Sequence, residues 1–169
     1  MLRDKVITRR VQSLPLPLEI YFDGLCQPVN PGGVACYAYV VKENSSTIHS
    51  EYGIAGEPFS KEATNNVAEY TALQKALEWL ASNGRTHEKV IVRSDSQLVV
   101  NQLSGQYRVR TKKLVPLYLG AVALIRKFAD MQIEWVPREK NAEADRLTNV
   151  AYNKFLQDNP EVLKKLTGG

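Results

Sequence analysis

Cysteine is nearly absent. Cys26 and Cys36 are the only two among 169 residues, too few for a disulfide framework and suited to a reducing compartment. Histidine is as scarce, with His49 and His87 in unrelated segments, so no Cys/His cluster of the zinc-binding kind can be drawn. No apolar run approaches the roughly 20 residues of a membrane span. The stretch Leu14-Pro15-Leu16-Pro17-Leu18 is too short and too proline-rich for a signal-peptide core. A cytoplasmic protein without membrane association is expected. The chain also lacks internal repeats and low-complexity tracts.

What is present suffices for one domain: the apolar fraction of 44% is that of an ordinary globular protein, and the length allows a real core. The net charge of +4 is small, so its placement matters more than its size. Arg3, Lys5, Arg9 and Arg10 face only Asp4 in the first 17 residues, and Arg108, Arg110, Lys112 and Lys113 stand together with no acid among them. Two basic patches on a nearly neutral body suit a polyanion, although a frayed arm and a solvated loop would show the same charges.

Residues 1–17 read as a flexible arm, because Pro15 and Pro17 resist regular structure. Three strand-like runs follow at 18–24, 34–42 and 47–55, the last two joined by the turn signal Asn44-Ser45-Ser46. The run at 34–42 is apolar at successive positions, as expected of a strand buried on both faces. The period then changes. Helices are predicted over 66–81, 96–103, 113–129 and 142–156, and strands at 90–92 and 131–136. The order β-β-β-α-β-α-α-β-α predicts an α/β fold: a five-stranded mixed sheet, three antiparallel strands then two parallel, with helices on both faces. One domain is expected over 18–158, with a tail at 159–169.

Four carboxylates stand at separate places in this order: Asp23, Glu69, Asp95 and Asp145. Brought together bare, they would repel one another and raise their own pKa values. A divalent cation removes that cost, and all-oxygen ligands favour Mg²⁺ or Mn²⁺ over Zn²⁺. Structural alternatives exist for three of them. Glu69 could close a capping box with Asn66, Asp95 could cap a helix, and Asp145 could favour a helix dipole. Asp23 follows Tyr21-Phe22 in a central strand, where a charge needs a partner or a metal. Nearby, Asn30, Asn65, Asn66 and Gln97 carry amides that both donate and accept, as a ribose 2′-hydroxyl and a shallow minor groove require. The asparagines could equally be turn residues.

Four stretches, in order, carry a resemblance. They are Tyr21-Phe22-Asp23-Gly24 with Asn30-Pro31-Gly32-Gly33, Thr64-Asn65-Asn66-Val67-Ala68-Glu69-Tyr70, Ser94-Asp95-Ser96-Gln97-Leu98-Val99, and Trp135-Val136-Pro137-Arg138-Glu139 running to Ala144-Asp145. The chain resembles a type 1 ribonuclease H of the compact archaeal and bacterial kind over about residues 18–155, and that fold matches the element order above. The resemblance implies an endoribonuclease that hydrolyses the RNA strand of RNA/DNA hybrids with two Mg²⁺ ions, for which Mn²⁺ substitutes, leaving 5′-phosphate and 3′-hydroxyl ends. Asp23 would be shared by both ions. Asp145 would join it where water is activated, and Glu69 and Asp95 where the leaving oxygen is stabilised, the two ions about 3.5–4 Å apart. Gly24, Cys26, Asn30, Asn65, Asn66 and Gln97 fall where the family meets the hybrid, and Thr64 where it holds a DNA phosphate.

The chain departs from many relatives in three ways. The loop before the last helix, Arg138-Glu139-Lys140-Asn141, has no histidine; Arg138 and Glu139 are the candidates to replace it. There is no tryptophan-rich protrusion: Trp79 and Trp135 read as core residues, and Tyr107 with Arg108, Arg110, Lys112 and Lys113 would grip the DNA strand instead. The arm matches no separate hybrid-binding module. A monomer is expected, with double-stranded RNA as a second candidate substrate. A catalytically weak hybrid- or duplex-binding module would be expected to lack one of the four carboxylates. A DNA resolvase on this fold would have no use for the paired asparagines.

Overall fold

The computed structural model describes residues 15–168. The expected arm, apart from its last three residues, lies outside them. Strand β1 (Leu18–Gln27) is the centre of a five-stranded sheet in the order β3-β2-β1-β4-β5. It pairs antiparallel with β2 (Val34–Glu43), which pairs antiparallel with β3 (Ser46–Ile54); β4 (Lys89–Ser94) and β5 (Asp130–Trp135) run parallel to β1. The mixed sheet predicted above is therefore present. Asn44 and Ser45 both take left-handed φ values, 51° and 65°, which is the backbone a two-residue hairpin needs.

Helices α1 (Asn65–Ser82), α2 (Gln97–Leu103) and α3 (Val115–Ile125) lie on one side, and α4 (Ala142–Asp158) on the other. Ile20, Phe22, Tyr37 and Tyr39 pack with Leu73, Leu77 and Leu80 of α1 in the main core. Val34, Cys36, Ala38 and Val40 meet Leu147, Ala151 and Tyr152 of α4. Strand β2 is thus covered on both faces, which explains its unbroken apolar run. Among the described residues no helix is long and apolar enough to cross a membrane.

Two expectations need correction. Helix α3 ends well before residue 129. The amides of Lys127 and Phe128 bond the carbonyls of Leu124 and Ile125, a tighter turn that sets Phe128 into the core, and the Ala129 amide bonds Thr86 O to lead the chain into β5. Residues 160–167, read as tail, form helix α5 (Pro160–Thr167). Pro160 ends α4 and also opens α5, since proline fits the first turn of a helix.

Candidate active site

The parallel register places two of the carboxylates. Leu18 pairs with Val90 and Tyr21 with Arg93, after which the strands part. The same register, followed beyond the last pair, brings Asp23 and Asp95 out at the same end of the two strands, where both line one pocket. Ser96, not Asp95, caps α2, its hydroxyl accepting the Val99 amide at 3.4 Å. The Asp95 carboxylate is left free to face the pocket.

Glu69 arrives through a close approach of helix to strand. Gly24 lies against the first turns of α1, where a Cβ would meet the Glu69 backbone amide, Asn65 O at 2.7 Å and Ala68 C at 2.8 Å. Only glycine lets the helix lie this near. Gly24 therefore serves the site by admitting α1, in addition to lining the pocket. Thr64 is the helix cap, accepting the Val67 amide at 3.1 Å. The capping-box alternative for Glu69 fails, because the cap is Thr64: Asn66 already lies inside the helix and Glu69 is five residues past the cap.

Asp145 comes from the first turn of α4. Its Oδ1 accepts from Arg138 Nη2 at 2.8 Å. The Thr148 hydroxyl, one turn on, lies 2.7 Å from the Asp145 carbonyl oxygen and 3.2 Å from Asp23 Oδ2. Asn141 Nδ2 donates to Asp95 Oδ1 at 2.7 Å and to Phe22 O at 2.9 Å.

Asp23, Glu69, Asp95 and Asp145 line a single pocket of about 280 Å³ with Gly24, Leu25, Asn65, Ser96 and Arg138. Burial, then the charges of Asp95 and Asp145, push Asp23 up to about 7. Glu69 is raised well above the usual carboxylate range by burial first, then by Asp23 and Asp95. Its buried Oε2 has no hydrogen-bond partner. Among the described residues no three acidic, histidine or cysteine side chains already surround one point at ligand spacing; Arg138 holds one oxygen of Asp145 and Asn141 one of Asp95. The donor set nevertheless fits a hard divalent cation. It is all oxygen, mutually repulsive, and includes an oxygen that lacks any other partner.

The other sequence-derived residues fall into two groups. Asn30 and Asn65 clasp each other beside the pocket, Asn30 Nδ2 donating to Asn65 Oδ1 at 2.8 Å, and the Asn66 amide donates to the same oxygen at 3.0 Å. Gln97 is exposed at the start of α2. The Cys26 thiol is turned into the fold, 3.2 Å from Val29 O and 3.4 Å from Ala63 O. The second group is the segment between α2 and α3. Tyr107, Arg108, Arg110 and Lys112 are exposed, and Lys113 Nζ reaches Lys61 O at 3.3 Å. No acid among the described residues pairs with these four cations.

Trp135 was expected in the core and is not. It is 47% exposed, with Nε1 donating to Asp95 O at 3.1 Å. Trp79 does pack on the core and stacks on His49 at 4.2 Å, leaving His49 half-buried. Glu139 is exposed and away from the pocket, so only Arg138 of the two loop candidates lines it. Sequence reasoning missed Asn141, Thr148 and Ser94, all buried around the carboxylates. The spacing of Asn141 and Thr148 about Asp145, four residues before and three after, puts all three on one helical side and was the available signal.

This sheet order, with four carboxylates converging at the mouth of its parallel strands, defines a ribonuclease H-like domain. The profile of the reverse transcriptase-like family matches residues 38–151, and the chain belongs to that family; within it, its likeness is to the type 1 ribonucleases H. It is 39% identical over 128 residues to the bifunctional protein Rv2228c of Mycobacterium tuberculosis, a match covering 76% of this chain and 34% of that one. The chain thus spans about a third of the length of that relative. It is 38% identical over 134 residues to ribonuclease HI of Halobacterium salinarum, covering 79% of this chain and 63% of the relative. Among solved structures it is similar to LC11-RNase H1 in complex with an RNA/DNA hybrid, with a TM-score of 0.73, 36% identity, and coverage of 82% of this chain and 99% of that one.

Proposed function

We propose that the protein is an endoribonuclease that hydrolyses the RNA strand of RNA/DNA hybrids. The observation that carries this is the convergence of Asp23, Glu69, Asp95 and Asp145 in one pocket, with the Asn30–Asn65 clasp beside it. The family in general depends on divalent metal. Here Asp23 would be shared by two Mg²⁺ ions, with Asp145 beside it on one side and Glu69 and Asp95 on the other, and Mn²⁺ would substitute. Bound there, such ions supply an activated water and a neutralised leaving oxygen for in-line phosphodiester hydrolysis, giving 5′-phosphate and 3′-hydroxyl ends.

The chain's own residues bind and orient. Asn30, Asn65, Asn66 and Gln97 offer amides to the RNA 2′-hydroxyls and the minor-groove edges. Thr64, which caps α1, and Gly24 of β1, which lies against its first turns, would stand close to the backbone of the bound strands. Arg108, Arg110, Lys112 and Lys113 neutralise phosphates of the DNA strand, and Tyr107 offers a stacking face. Arg138 takes the place of the relatives' loop histidine as the cationic side chain at the pocket. The domain acts as a monomer inside the cell. Its free Cys26 and Cys36 thiols fit a reducing compartment, and burial pushes Cys36 up to about 12, which keeps it inert.

The test is a panel of labelled RNA/DNA hybrid, double-stranded RNA and double-stranded DNA, incubated side by side in Mg²⁺. Cleavage confined to the RNA of the hybrid is expected. Binding to the hybrid without cleavage in Mg²⁺ or Mn²⁺ would make the protein a binding module, and cleavage of double-stranded DNA would make it a DNA nuclease.

A further inference from the structure

Asn141 stands immediately before α4, at the end of a tight turn over Arg138–Asn141. An asparagine there ordinarily turns its side-chain oxygen onto the free amides of the first helical turn. The Asn141 side chain makes no such bond. It is 1% exposed, and its buried Oδ1 has no partner at all. Its Nδ2 instead donates to Phe22 O at 2.9 Å and to Asp95 Oδ1 at 2.7 Å. Both of those atoms only accept, so the amide cannot be turned over without setting oxygen against oxygen. The tight turn Arg138–Asn141 runs directly into α4, and Asn141 lacks the extended backbone of a capping residue (φ −109°, ψ 17°); the cost that remains is the desolvation of the unpaired buried oxygen. A side chain held at such expense in a stable helix start is expected where function requires it.

The two contacts link three of the four carboxylates. Phe22 precedes Asp23 on β1, Asp95 follows β4, and Asp145 lies one turn beyond Asn141 in α4. We infer that Asn141 is a positioning residue that fixes the mutual spacing of Asp23, Asp95 and Asp145 and thereby sets the affinity of the pocket for a divalent cation. This rests on the metal-dependent reading above. Without Nδ2, the Asp95 carboxylate loses the hydrogen bond that aims it, and β1 loses its tie to the start of α4. Like the outer partners of other metal ligands, Asn141 acts through the residues it holds.

The test compares the wild-type chain, Asn141→Ala and Tyr70→Phe. The last removes a buried hydrogen bond of similar kind, Tyr70 Oη to Gln102 Oε1 at 2.8 Å, between two side chains that do not line the pocket. Mg²⁺ is titrated with two readouts, hybrid cleavage and the Mg²⁺-induced rise in Tm, and hybrid affinity is measured in chelator. Asn141→Ala is expected to raise the Mg²⁺ midpoint about 10- to 100-fold and to shrink the Mg²⁺-induced rise in Tm, with hybrid affinity in chelator kept within about twofold. Tyr70→Phe is expected to lower Tm in chelator and leave the midpoint where it was. A wild-type midpoint and a wild-type Mg²⁺ response in Asn141→Ala overturn the inference, as does an equal loss of hybrid affinity in chelator. If the wild-type chain neither cleaves nor responds to Mg²⁺, the metal-site reading falls and this inference with it. Should Asn141→Ala not fold, Asn141→Ser keeps one donor, and a smaller shift in the same direction is expected.

Discussion

Asp23 is 8% exposed, faces two other carboxylates, and has in Thr148 and the Gly24 amide only modest relief. Its raised pKa of about 7 means that the folded chain binds a proton there more tightly than the unfolded chain does. The favourable contribution is then complete below the ordinary carboxylate range and is lost as pH rises through about 7. Glu69 is shifted in the same direction. In chelator, Tm is therefore expected to fall as pH rises across that window, and to fall less in Asp23→Asn; a Tm that is flat or rising there would contradict the burial and crowding described. Asp23→Asn is also expected to stabilise the metal-free protein above neutral pH, by an amount on the order of a few kcal/mol. The same substitution is expected to reduce hybrid cleavage by more than about a hundredfold, since it removes the carboxylate both cations would share. Paired thermal melts and cleavage rates check the two together: gained stability with lost activity is the signature of a functional charge.

Three elements bring the site together, each by a different device. Register brings Asp23 and Asp95 out at the same end of their strands, a glycine contact brings α1 and Glu69 up to β1, and the Asn141 amide ties the start of α4 to both strands. Gly24→Ala would drive a methyl group into the α1 backbone, which cannot give way as a side-chain tip can. A loss of about 1–3 kcal/mol is expected from overpacking alone, together with a fall in activity as Glu69 is displaced; unchanged unfolding midpoint and activity would show the helix free to shift. The devices differ in how legible they were. Strand and helix periods show in the amino-acid pattern, and so did the order of elements. The identity of the α1 cap did not, because Thr64, Asn65 and Asn66 are all capable residues and only the backbone decides among them. The end of α3 escaped for a similar reason: Phe128 continues the helical apolar pattern but is delivered to the core from a tight turn. Trp135 was misplaced because an indole at a strand end reads as core until the sheet shows β5 to be the edge.

At the scale of the molecule, the described residues set a pocket that gathers acids apart from a segment, residues 107–113, whose cations pair with no acid among them. That division suits a substrate with phosphates on both strands and one strand to be cut. Replacing Arg108, Arg110 and Lys112 together by glutamine is expected to weaken hybrid binding and to flatten the plot of log affinity against log salt, by about 0.7–0.9 for each phosphate no longer neutralised. Cleavage at saturating hybrid is expected to be unchanged, because these side chains lie outside the carboxylate pocket. An unchanged salt slope would make the segment ordinary surface. The carboxylate quartet was legible in the sequence only as four acids on four elements; their meeting depended on long-range register, which no local pattern encodes. The most direct measurement is anomalous diffraction from crystals of the protein with Mn²⁺ and an uncleavable hybrid. Two manganese ions are expected in the pocket, both in contact with Asp23, one with Asp145 turned onto it and the other with Glu69 and Asp95, and with Arg138 released from Asp145. Manganese found only elsewhere, with the Arg138–Asp145 pair intact beside the bound hybrid, would contradict it.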